Sequence, residues 1–116
     1  MESDLKERVK AFALRVIKLY VALPKTTEAQ VIGKQLLRSG TSVGAQYYEA
    51  QHAKSSADFV SKIEGATQEC EETRYWLDLL QGADIVPAER LTALHDEARQ
   101  LVAIFVTIAR KSKEKL

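Results

Sequence analysis

The 116-residue chain is expected to form an all-α domain, an antiparallel up-and-down four-helix bundle, and three observations lead there. Apolar residues recur at three- and four-residue steps through four segments of roughly 20 to 28 residues, the spacing that puts side chains on one face of a helix. The two prolines, Pro24 and Pro87, fall between such segments and mark turns. No segment of useful length alternates with a period of two, so strands are not expected. Short connections make consecutive helices antiparallel neighbours, and the heptad-like spacing favours a crossing angle of about 20 degrees. The helices are expected over residues 4–22, 27–53, 56–82 and 87–114, all within a single domain.

The first helix starts with Ser3 or Asp4 as its cap and buries Leu5, Val9, Phe12, Val16, Leu19 and Leu23. Pro24 ends it, because the residue before a proline is pushed out of the helical region. The second starts after Thr26 or Thr27, whose hydroxyl can accept from a free N–H, with Glu28 in the positive first turn. Its stripe is Ile32, Leu36, Ser39, Val43, Tyr47 and Ala50. Between Ser39 and Ala45 large side chains are scarce, and each interior glycine costs about 0.5–1 kcal/mol relative to alanine. Gly40 and Gly44 therefore leave two outcomes, one continuous helix, which is the reading adopted, or a bend or break.

The third helix has the clearest start, Ser55-Ser56-Ala57-Asp58, a hydroxyl cap followed by an acid. Phe59, Ile63, Ala66, Cys70, Thr73, Leu77 and Leu80 form its stripe, and Gly82 is a natural stop. Pro87 suits the first position of the fourth helix, whose stripe is Leu91, Leu94, Ala98, Leu101, Phe105 and Ile108. Lys111, Lys113 and Lys115 complement its negative C-terminal end. Apolar residues beside these stripes, Ile17, Tyr20 and Val21 on the first helix and Val102, Ile104 and Val106 on the fourth, widen the buried faces beyond one bundle's needs. Self-association is their expected outlet.

Hydrophobic residues make up 46% and charged residues 28%, a globular mixture, and the net charge of +1 creates no global field for nucleic acid or membrane. Residues 55–83 nevertheless carry Asp58, Glu64, Glu69, Glu71, Glu72 and Asp78 against Lys62 and Arg74, while the first 54 residues lean basic. Cys70 is the one cysteine, so stability rests on packing without an intrachain disulfide, as suits a reducing cytoplasm. The charged N-terminus lacks a signal-peptide pattern, and no apolar run approaches the roughly 20 residues that span a bilayer. Cytoplasmic localisation is the expectation.

Glu49-Ala50-Gln51-His52 has the Glu-x-x-His spacing of carboxylate-bridged dimetal bundles. Such a site needs a second copy of the motif and two further glutamates, and His95 has Thr92 three residues before it, so His52 reads as a polar residue near a helix end and no metal or cofactor is expected. Glu49 is instead expected to be partly buried and to pair with Arg38 or another base. Cys70 lies on the inward stripe and reads as a small core residue rather than a nucleophile. Thr41 and Ser42 have no nearby base, and Gly33, Gly40 and Gly44 follow no strand, so no phosphate-cradling loop is present. The Gly40-x-x-x-Gly44 spacing lets two helices approach closely. Of the pairs Tyr47/Tyr48 and Tyr75/Trp76, one member each is expected to pack inward and the other to lie at a groove. Lys6, Arg8, Lys10, Arg15 and Lys18 on the first helix, with Arg110, Lys111, Lys113 and Lys115 at the end of the fourth, form either a phosphate-binding patch or a solvated face with dipole complementation. No catalytic residues are identified.

Three segments carry a family resemblance: Leu37-Arg38-Ser39-Gly40-Thr41-Ser42-Val43-Gly44-Ala45-Gln46 with Glu49-Ala50 following, then Asp58-Phe59, then Glu72-Thr73-Arg74-Tyr75-Trp76-Leu77-Asp78-Leu79-Leu80. Together they resemble the four-helix-bundle family named after the 23S rRNA intervening-sequence protein, over essentially the whole chain. That family is in turn similar to the accessory variability determinant of diversity-generating retroelements, a basic bundle that associates with a reverse transcriptase and nucleic acid. The resemblance implies a homo-oligomer, usually a pentameric ring, linked to RNA or nucleic-acid complexes without catalysis. Its motif maps onto Arg38, Ser39, Thr41, Ser42, Gly44, Ala45, Glu49, Asp58, Phe59, Glu72, Tyr75, Trp76 and Leu77, mostly as packing or assembly determinants. Gln46-Tyr47 stands where Asn and an aliphatic residue are frequent, and Glu49-Ala50 where Glu-Gly is frequent.

Overall fold

A computed structural model describes residues 2–116, with side chains from Asp4 onward. Four helices follow one another, α1 (Glu2–Ala22), α2 (Thr27–Gln51), α3 (Ser56–Gly82) and α4 (Ala88–Lys113), and no strand occurs among the described residues. Each helix packs on its neighbours in sequence, and α1 also meets α4, which closes the bundle, though far more sparsely than the other pairs meet. The result is a rod of 47 × 22 × 21 Å.

The heptad stripes account for the core. Leu5, Val9, Phe12, Val16 and Leu23 of α1, Leu36, Val43 and Tyr47 of α2, Ile63, Ala66, Cys70, Leu77 and Leu80 of α3, and Leu91, Leu94, Ala98, Leu101 and Phe105 of α4 are all buried. Four expected members, Leu19, Ile32, Phe59 and Ile108, are only partly buried and pack against the edge of that core. On α2 the inward positions beside Ile32 are Ala29 and Gly33, so the buried face is turned toward small residues.

The small residues explain why α2 stays continuous through Gly40. A Cβ on Gly40 would lie 2.7 and 2.8 Å from the two Cγ methyls of Val16, and one on Gly33 would lie 2.6 Å from Leu23 Cδ1. α1 crosses α2 at these positions, so the missing side chains are filled by the neighbouring helix. Gly44, expected to share the close approach, faces only ordinary contacts of 3.7 to 3.8 Å with Val9. The tight pair is therefore Gly33 and Gly40, one heptad apart.

Several helix boundaries differ from expectation by one or two residues, whereas α3 ends at Gly82 as expected. Backbone helix already runs through Ser3 and Asp4, so neither caps α1, and the side chain of Ser3 lies outside the described residues. α2 ends at Gln51, with His52 as its cap residue rather than continuing to Ala53. Gly82 is the last residue of α3, but the left-handed turn is made by Asp84, with φ of 58°. Asp84 N–H donates to Gln81 O at 3.0 Å and Ile85 N–H to Leu80 O at 2.9 Å, the paired bonds of a Schellman turn. Pro87 precedes α4 as its N-cap, with ψ of 147°, rather than occupying its first turn. Thr26 and Ser55 cap α2 and α3 by accepting from Ala29 N–H and Asp58 N–H.

Candidate nucleic-acid interface

The basic residues on α1 and α4 lie at the surface, but helical periodicity distributes them over several faces. Lys6 and Lys10 point to the α2 side of α1, where they border a groove of about 750 Å³ floored by Ala13, Thr41, Gly44 and Ala45. Arg110 and Lys113 face α3 across a larger groove of about 1060 Å³. Lys111 stands with Asp4 and Arg8 at an opening of about 600 Å³ between α1 and α4, lined at depth by Leu5, Tyr47, Phe59 and Ile104. Lys115 lies beside Lys54 and Ser55 at the α2–α3 connection. The first and last helices are neighbours, yet their cations do not form one patch.

Arg8 is held by its neighbours. Its Nε and Nη2 donate to the two carboxylate oxygens of Glu97 at 3.0 and 2.8 Å, and Nη2 also reaches Gln100 at 3.1 Å. The Glu97 hydrogen bonds hold the guanidinium above its ordinary pKa. Lys113 Nζ is 2.5 Å from Glu64. Lys6, Lys10, Arg15, Lys18, Arg110, Lys111 and Lys115 have no ion pair among the described residues. Their charge stays available to an external anion.

The acids of α3, by contrast, mostly find partners within the molecule. Arg38 donates to Glu69 at 3.3 Å and to Glu72, and Glu72 also accepts from Trp76 Nε1 at 3.2 Å. Arg74 pairs with Glu71 at 2.9 Å, and His95 Nε2 lies 2.9 Å from Asp78. Asp58 accepts from Lys54 N–H at 3.2 Å, which fastens the start of α3 to the preceding loop.

Within the α2–α3 seam, the buried Thr73 and Ser39 hydroxyls are hydrogen-bonded to each other at 2.9 Å, with Glu69 O 2.8 Å from Thr73 Oγ1 and Leu36 O 3.3 Å from Ser39 Oγ as further acceptors. Thr41 and Ser42 return their hydroxyls to Leu37 O and Arg38 O at 2.8 and 2.7 Å. Cys70 Sγ donates to Ala98 O at 3.3 Å, and burial, with Glu71 adding to it, pushes the thiol up to about 12. It is a core group with no thiolate at neutral pH.

Glu49 is more than half exposed, which corrects the expectation of a partly buried residue, and the base it pairs with is Lys62, at 3.2 Å, rather than Arg38. Three residues on, the His52 ring turns to Tyr48, with centroids 4.6 Å apart, and its Nδ1 lies 3.0 Å from Tyr48 O. Among the described residues no three metal-ligating groups converge. Tyr47 is buried against Phe105, whereas Tyr48 is 61% exposed, dividing that pair as expected. Tyr75 is likewise exposed beside a half-buried Trp76. The Tyr48–His52 ring pair escaped the sequence analysis, although their four-residue spacing on one helix is the signal that shows it.

No helix among the described residues is long and apolar enough to cross a membrane. A family model described as 23S rRNA-intervening sequence protein matches residues 1–112. No curated protein matches the chain. Among solved structures, a protein of unknown function from the S23 ribosomal protein family of Bacteroides thetaiotaomicron VPI-5482 superimposes with a TM-score of 0.88 at 34% identity, covering 95% of this chain and 99% of that one.

Proposed function

This chain belongs to the 23S rRNA-intervening sequence protein family, and from that premise we propose that it is a non-catalytic, homo-oligomeric scaffold that binds RNA or a ribonucleoprotein partner through its basic residues. The observation that carries the reading is the contrast in charge pairing: four of the six acids of α3, Glu64, Glu69, Glu71 and Glu72, meet a lysine or arginine within the molecule, while the cations of α1 and the α4 tail remain at the surface and, except for Arg8 and Lys113, unpaired among the described residues. Such cations release counterions from a phosphate backbone on contact, which makes binding salt-dependent. Oligomerisation multiplies a modest set of charges, and a ring sums their field. Leu14, Ile17 and Val21, spaced three and four apart on α1 and all exposed, supply apolar surface for contact between copies. A pentameric ring is the form that the family resemblance implies.

The proposal predicts retarded migration of RNA in the presence of the protein at low salt, weakening steeply as salt rises. Replacing Lys111, Lys113 and Lys115 with glutamine is expected to lower affinity and salt slope together, with Lys113 contributing least because Glu64 already holds it. Mass by light scattering tests the assembly, and a monomer at micromolar concentration sinks the ring. Salt-insensitive recovery of a protein partner free of RNA would favour the alternative, a protein–protein scaffold using the exposed Tyr75 beside Trp76.

A further inference from the structure

We propose that the groove between α1 and α2 is a binding site for single-stranded RNA, in which an unpaired base stacks on Tyr48 and its flanking phosphates meet Lys6 and Lys10. The inference rests on the RNA-binding reading above and assigns it a place. Tyr48 presents a ring that is 61% exposed at the wall of this groove. That ring is not a loose side chain, because His52 packs against it at 4.6 Å and is itself anchored through Nδ1 to the backbone oxygen of Tyr48 at 3.0 Å. A braced aromatic face loses little freedom when a base settles on it, and every base offers a π-face for the contact.

The floor supports the same occupant. Ala13, Thr41, Gly44 and Ala45 project almost nothing into the groove, so a flat group can lie against the backbone. The Thr41 hydroxyl is turned back to Leu37 O and does not compete for the space. On the α1 side, Lys6 and Lys10 are one helical turn apart, exposed and without ion pairs among the described residues. Glu7 also lines the groove and leaves it with a modest positive balance, which suits a few phosphates rather than a long duplex track. Two mobile ammoniums beside an aromatic platform match the chemistry of single strands, whereas an A-form duplex hides its bases from such a ring.

Fluorescence anisotropy with a labelled single-stranded dodecaribonucleotide, and with the same strand annealed to its complement, tests the assignment on the full chain. Tyr48→Ala is expected to weaken single-strand binding about tenfold or more, with Tyr48→Phe close to wild type, as stacking predicts. Lys6→Gln with Lys10→Gln is expected to reduce the salt slope by roughly 1.4, about 0.7 for each phosphate no longer neutralised. Wild-type affinity in both Tyr48→Ala and the double lysine variant would overturn this site while leaving RNA binding intact elsewhere. Duplex bound as tightly as single strand would overturn stacking. A fall in oligomer mass on Tyr48→Ala would show the groove to be a contact between copies and overturn the assignment. No RNA binding by the wild type at any salt concentration would remove the broader proposal and this one together.

Discussion

The α2–α3 seam and the α1–α4 seam join the same kind of amphipathic helix by different means. Across α2–α3, a buried Ser39–Thr73 hydrogen bond fixes the register, and Arg38 bridges two turns of α3 through Glu69 and Glu72. Across α1–α4, the helices touch sparsely, an apolar-lined opening remains, and the Arg8–Glu97 fork is the principal polar link among the described residues. Residues of the family motif concentrate in the first seam, and most of the exposed cations lie on the helices of the second. The motif thus specifies a central pair locked by polar contacts, while α1 and α4 carry most of the unpaired cations.

Core truncation on the two seams should separate them most sharply. Leu77 is fully buried, so Leu77→Ala is expected to cost about 2–5 kcal/mol, whereas Ile108→Ala, at the half-buried edge facing α1, should cost about 1 kcal/mol. Urea denaturation followed by helical circular dichroism reads both, and equal losses would erase the distinction.

Two glycines on α2 offer a second test with opposite signs. Gly40→Ala forces a Cβ into the branched, fully buried Val16 side chain and is expected to destabilise by about 1–2 kcal/mol after the gain in helix propensity. Gly44→Ala meets nothing closer than 3.7 Å and should stabilise by about 0.5–1 kcal/mol. A stabilising Gly40→Ala would show that α1 does not press on α2 there.

These glycines also show where the sequence was legible. The four stripes gave the helices and most of the core, because large apolar side chains at heptad spacing leave few arrangements. The rotation of α2 was hidden, since Ala29 and Gly33 are buried for their smallness and carry no hydrophobic signal. Asp84 as the left-handed residue was hidden by the neighbouring Gly82, the residue type better suited to that conformation. Arg38 gave no hint of its partners, which lie 31 and 34 residues away on another helix. The basic residues were visible individually, but their division among grooves depends on helix phase and neighbours, which a count of charges does not contain.

Cys70 provides a smaller, pH-dependent probe of the central helices. Folding raises its pKa from 9.0 to about 12, so the folded state holds the proton that the unfolded chain releases. This group leaves stability nearly unchanged below about pH 8 and erodes it as pH rises past 9, by about 1.4 kcal/mol at pH 10. Cys70→Ala should flatten that part of the profile, whatever its cost at neutral pH. In the native wild type, a thiol reagent at pH 8 should label Cys70 only at the rate of unfolding, and rapid labelling would contradict its burial.

The smallest expected effect addresses the α1–α4 seam itself. Arg8 and Glu97 are partly solvated, at 36% and 18% side-chain exposure, so screening limits their contribution and Arg8→Gln should lower global stability by less than about 1 kcal/mol. The local effect should be larger than the global one, because few other groups tie α1 to α4. Native-state hydrogen exchange is expected to show faster exchange along α1, with α3 protected as in the wild type up to the global limit. High salt should bring the wild type toward the variant by screening the same pair. Uniform acceleration in all four helices would mean that the seam opens only with the whole bundle. The sparse packing of α1 on α4 would then mark no independent motion of α1, and its surface would be as firmly positioned as the α2–α3 core.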